Sequence, residues 1–117
     1  MDLENAISKH SEWKTKFRSA ISKKEQMDVA TISKDNCCDL GKWLHGDAKS
    51  SYSNLTSYID CVRKHAAFHT EAGKVATAIN SKKYTEAETM LGSGTTYSQV
   101  SSDVGVAIMR LKKEAKL

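Results

Sequence analysis

Three histidines and one cysteine stand where they could meet on a single ion. His65 and His69 are four residues apart in a stretch that reads as helix, and upstream lie His10, in His10-Ser-Glu-Trp13, and Cys38, in Cys38-Asp-Leu-Gly-Lys-Trp43. Side chains at i and i+4 project from one helix face closely enough to share a metal, and zinc in closed sites takes four nitrogen or sulfur ligands in a tetrahedron. The set suits one closed zinc site, although imidazole mixed with thiolate also suits copper or cobalt. Alone, the His65 and His69 pair reads more simply as a core histidine with a surface neighbour, because spacing by four is common by chance. His10 and Cys38 shift the reading toward a metal.

The surrounding periodicity indicates what must position these groups. From Leu3 the apolar residues run Leu3, Ile7, Trp13, Phe17, Ala20 and Ile21 at threes and fours, with His10 filling the gap and so facing the core. An unpaired buried polar group costs about 1–3 kcal/mol, which a metal would offset. Residues 22–36 are polar without a sustained period and read as a connection with room for a helical turn. Asp35 or Asn36 is then expected to cap a short helix carrying Cys38, Leu40, Trp43 and Leu44, with Gly41 allowing another helix to approach. Cys38 near that helix N-terminus is expected to favour the thiolate.

A third apolar stripe runs Tyr52, Leu55, Ile59, Val62, His65, His69, Ala72, Ala76 and Ile79. A fourth, Tyr84, Ala87, Leu91, Tyr97, Val100, Val104, Ile108 and Leu111, keeps its phase through Gly92-Ser-Gly94, so one helix with a weak point is expected there. Three long helices and a short Cys-bearing one make an all-α antiparallel bundle, four to five helices by count.

Composition bounds the class. The 117 residues contain no proline and six glycines, and 39% are hydrophobic, which suits helices better than a many-turned sheet and predicts one domain over 1–117. The net charge of +4 comes from 18 basic and 14 acidic residues. The lysines are scattered, as on solvated helix faces, so nucleic-acid binding is not indicated. No stretch approaches the roughly 18 apolar residues of a membrane span, and Met1-Asp-Leu-Glu lacks a secretory layout; a cytoplasmic location is expected. Three cysteines, two of them adjacent, form a poor disulfide framework.

The pattern His10-x-x-Trp13, then Cys38-x-Leu40-Gly41-x-Trp43, then His65-x-x-x-His69 resembles the chemoreceptor zinc-binding domain over positions 10–69. The resemblance implies a helical-bundle sensory domain of bacterial chemotaxis receptors and diguanylate cyclases, with one zinc held by His10, Cys38, His65 and His69. It further implies that zinc occupancy, or oxidation of Cys38 by hypochlorous acid and similar oxidants, alters an attached signalling module. Cyclase relatives are homodimers, so a homodimer is expected, and the chain reads as a domain excised from a larger protein.

Two other thiols compete for the sulfur position. Cys37 points about 100° from Cys38 on a helix, and Cys61 lies about 40° from the face of His65 and about 80° from that of His69. Cys61 reads as packing, Cys37 as a semi-buried spectator, and His45 as a surface residue too far along the axis for the same ion. Asp35, Asp39 and Glu12 are candidate acceptors for the outer imidazole N–H groups. The competing functional class is a zinc-dependent hydrolase or lyase with a three-histidine site and a metal-bound water. A fourth protein ligand and the lack of a His-Glu-x-x-His arrangement argue against it, and apolar stripes without glutamate argue against a di-iron bundle.

Overall fold

The N-terminal stripe forms α1 (Leu3–Lys23), started by Asp2, whose carboxylate accepts from the Asn5 amide at 3.0 Å, and ended at Lys24 in the left-handed region at φ 55°. Six more helices follow: α2 (Val29–Ile32), α3 (Asp39–His45), α4 (Asp47–Tyr52), α5 (Thr56–Asn80), α6 (Tyr84–Met90) and α7 (Thr96–Glu114). The computed structural model describes all residues 1–117 and contains no strand. The all-α bundle expected from the apolar periodicity is the observed architecture.

Three long helices, α1, α5 and α7, form its frame. Lys112 on α7 meets Glu4 at the start of α1 (2.6 Å), while Tyr97 at the other end of α7 packs on Phe17 (ring centroids 5.9 Å apart), so these two helices are antiparallel. Asp60 with Arg110 and Lys64 with Asp103, each pair 3.9 Å apart, set α5 antiparallel to α7 as well. Between them lie Phe17, Phe68, Leu91, Ile108 and Leu111, all fully buried. Burial of such side chains contributes about 1.5–3 kcal/mol each relative to exposure.

The short elements differ from expectation in four places. The fourth stripe is two helices, α6 and α7, rather than one. Gly94 turns to φ 77°, and the Thr95 hydroxyl accepts from the Ser98 amide at 3.2 Å while lying 2.8 Å from the Met90 carbonyl and 2.9 Å from that of Gly92. That capping network restarts the chain while leaving the apolar phase intact. Tyr52 belongs to α4, and α5 begins after Leu55.

The cap of α3 is Cys38 itself rather than Asp35 or Asn36: its sulfur accepts from the Gly41 amide at 3.4 Å. Gly41, in turn, makes room for main chain and not for a helix. A Cβ there would overlap the Asp35 carbonyl and come within 3.1 Å of the Asn36 Cα.

Candidate metal centre

Four donors from three elements converge. The His10 ring on α1, the Cys38 sulfur at the head of α3, and the His65 and His69 rings on α5 place one donor atom each within 4.8 Å of one another. The Nε2 atoms of His10 and His69 lie 3.1 and 3.0 Å from that of His65, and the Cys38 sulfur lies 3.2, 3.6 and 3.9 Å from the Nε2 atoms of His65, His69 and His10. A regular tetrahedron built on zinc–nitrogen and zinc–sulfur bonds has edges of about 3.3 Å between nitrogens and about 3.6 Å between nitrogen and sulfur. The two nitrogen–nitrogen separations fall slightly short of the first value, and the nitrogen–sulfur separations bracket the second.

Hydrogen-bond chemistry points the same way. Nδ1 of His10 lies 2.8 Å from the Ala6 carbonyl, and Nδ1 of His69 lies 2.8 Å from the Ile32 carbonyl. A carbonyl only accepts, so both Nδ1 atoms carry the proton and both Nε2 atoms turn a lone pair inward. A proton on His65 Nε2 can serve one of them, and the Cys38 thiol reaches the other only at 3.6 to 3.9 Å. His65 Nδ1 has no partner and is fully buried. Three inward nitrogens and one sulfur are therefore poorly served by protons and well served by one cation.

The electrostatics keep the rings neutral. Burial, followed by the neighbouring rings of His69 and His10, pushes His65 down to about 2. Burial likewise lowers His10 and His69, partly opposed by their carbonyl hydrogen bonds. For Cys38, burial raises the thiol above its usual range and outweighs the opposing amides of Gly41 and Leu40. The helix N-terminus thus acts in the expected direction but does not win without a further positive charge nearby.

The histidines are closed off, with exposures of 5% for His10, 0% for His65 and 3% for His69, whereas Cys38 is half-buried. Cys38 and the edge of His10 line a solvent-open cavity of about 690 Å3 bounded by Trp13, Leu40, Lys9 and Lys42. The sulfur is thus the member of the cluster that a solute meets first. Phe68, fully buried, sets its ring edge-on against His10 (5.1 Å between centroids) and His69 (5.5 Å) and fixes their planes.

All four sequence-derived candidates are brought together. The competing thiols are not: Cys61 is fully buried outside the cluster, with its thiol pushed up to about 12 by burial and by Asp60, and Cys37 is half-buried with its sulfur 3.6 Å from the Asn36 side-chain oxygen. The expected carboxylate acceptors are replaced by main chain. Asp35 pairs with His45 (3.1 Å), while Glu12 and Asp39 are exposed and make no imidazole hydrogen bond. Of the true acceptors, Ala6 lies one turn before His10 and was available from helix geometry, whereas Ile32 is a tertiary contact with no sequence signal.

The fold and this donor set define a helical metal-binding domain. The family model of the chemoreceptor zinc-binding domain matches residues 10–76, a span that includes all four donors, and the chain belongs to that family. Its cofactor is zinc, its role is that of a zinc-binding regulatory domain, and such domains sit within larger signalling proteins. No curated protein and no solved structure matches the chain. No helix is long and apolar enough to cross a membrane.

Proposed function

We propose that His10, Cys38, His65 and His69 are the ligands of one zinc ion, and that residues 1–117 act as one sensory unit of a bacterial chemotaxis receptor or related signalling protein. Cys38 is its zinc–thiolate switch. The observation that carries this reading is the convergence of three neutral imidazoles and one sulfur, two of the rings locked by main-chain carbonyls with their lone pairs inward. Zinc bound there supplies the positive charge that stabilises the thiolate and ties α1, α3 and α5 together.

The geometry around Cys38 supports its role as the responsive member. It is the accessible donor, and it heads a helix of seven residues held by Leu40, Leu44 and the Tyr58 hydroxyl, which donates to the Leu44 carbonyl at 2.6 Å. When hypochlorous acid oxidises it, the sulfur gives up two electrons and gains one oxygen, and chloride leaves. The resulting sulfenate is a weaker donor. The start of α3 is then free to move while the three buried histidines keep their places.

A fourth protein donor leaves no open position for substrate or water, which supports a non-enzymatic role over a hydrolase or lyase. Three unpaired thiols suit a reducing, cytoplasmic setting. An attached receptor or cyclase module and a homodimeric state complete the proposal, on the family's precedent.

Elemental analysis of the purified chain and of Cys38→Ala, each before and after stoichiometric hypochlorous acid, tests it. One zinc per chain in the parent, more easily stripped in the variant and after oxidation, is the expected result. A parent without metal, or a variant with unchanged affinity and oxidant response, rejects the assignment.

A further inference from the structure

The connection from α1 to α3 carries two parts of the centre at once: the Ile32 carbonyl that holds His69 and, six residues later, Cys38. Its only helix, α2, has four residues, too few to be stable alone. Its position must come from α5, and two residues of α5 outside the centre supply it. Asn80, the last residue of α5, grips Met27 from both sides: the Met27 amide donates to Asn80 Oδ1 at 2.8 Å, and Asn80 Nδ2 donates to the Met27 carbonyl at 2.8 Å. Two turns earlier, Gly73 lets Ser33 lie directly on the helix. A Cβ at position 73 would overlap the Ser33 hydroxyl and sit 3.0 Å from its Cβ and 3.3 Å from its Cα, so rotating the hydroxyl alone does not relieve the contact. Asn80 thus fixes the chain five residues before Ile32 and Gly73 fixes it one residue after.

We propose, on the reading of His69 as a ligand, that Asn80 and Gly73 are positioning residues for the metal centre. They hold the connection so that the Ile32 carbonyl keeps the His69 proton on Nδ1 and its Nε2 lone pair inward, and so that Cys38 reaches the same point. Neither residue is among the four donors. Without the carbonyl in place, the His69 ring is free to take the Nε2–H tautomer or to rotate, and either change removes a donor. Outer partners of metal-bound histidines typically affect affinity by about 10–100-fold.

The test uses the full chain with Asn80→Ala and Gly73→Ala. Zinc affinity is read by competition with a chromophoric chelator, and the His69 tautomer is read from imidazole 15N shifts in the metal-free protein. Each variant is expected to bind zinc at least about tenfold more weakly and to show His69 shifted from pure Nδ1–H toward a mixture. Gly73→Ala separates positioning from folding, because alanine raises the helix propensity of α5 while displacing Ser33; unchanged helicity with weakened zinc binding is a result that a purely structural role does not give. If one variant fails to fold, the other carries the test. Affinity within twofold of the parent together with an unchanged tautomer overturns the proposal. A parent that binds no zinc would instead reject the ligand assignment, and the tautomer measured without metal still decides the positioning role.

Discussion

Removing zinc should lower the melting temperature by a calculable amount and loosen one identifiable part of the fold. With free zinc held a thousandfold above its Kd, binding stabilises the native state by about 4 kcal/mol, and chelation removes all of it. At about 2.1 cal/mol/K per residue near 60 °C, 117 residues give an unfolding entropy of about 0.25 kcal/mol/K, so Tm falls by about 16 °C. The apolar core of α1, α5 and α7, with Phe17, Ile108 and Leu111 fully buried, is built of side chains other than the four ligands, so the chelated protein stays helical. The start of α3 has Leu40 in that core but takes its cap from Cys38 itself. The Gly41 amide is bonded to the Cys38 sulfur and the Lys42 amide to the Cys38 carbonyl, and these two amides should lose hydrogen-exchange protection first. Differential scanning calorimetry with and without chelator, with zinc content measured in both samples, gives the shift; amide exchange gives the location. A Tm unchanged to within about 3 °C after verified zinc loss, against the 16 °C expected from linkage, would refute the claim that the metal staples these elements.

Gly41→Ala drives a methyl group into the Asp35 carbonyl and the Asn36 Cα, both main chain, and should destabilise the protein by about 2–3 kcal/mol in urea titrations while weakening zinc binding. Phe68→Ala empties a fully buried site against His10, His69 and Tyr97, and a loss of about 3–5 kcal/mol is expected by the same titration. Cys61, fully buried with its thiol pushed up to about 12, should resist iodoacetamide in the native protein near pH 8 while the half-buried Cys37 is alkylated; peptide mass spectrometry separates the two sites.

What sequence reveals here follows from what repeats along a helix. His10, His65 and His69 occupy core-facing positions in apolar stripes, and a polar ring in such a stripe already asks for a partner, so the nitrogen donors were legible. Cys38 was legible by its Leu-Gly-x-Trp context rather than by period. Spacing does not report dihedral angles, and this is why the break before α7 was missed: Leu91 and Tyr97 keep the phase while Gly94 and Thr95 reset the backbone between them. Thr95 is an N-cap residue type standing just before the first turn of α7, and that local signal outweighs the continuous phase. The role of Gly41 differs from the expected one because the element that approaches it is the loop directly preceding its own helix. The Ile32 carbonyl and the Asn80 grip on Met27 join residues 37 and 53 positions apart and exist only once the chain has folded.

That the outer partners of His10 and His69 are carbonyls of the main chain has a consequence for how domains of this kind can diverge. No side-chain exchange at position 6 or 32 deletes the acceptor, since every amino acid brings the same C=O, so these buried sites can vary among apolar residues that fit the core so long as the backbone path is kept. Selection on them is then on shape rather than on chemistry. Comparison of descendants would show the histidines held constant and their hydrogen-bond partners varying, and a search for invariant letters would overlook half of what orients the rings.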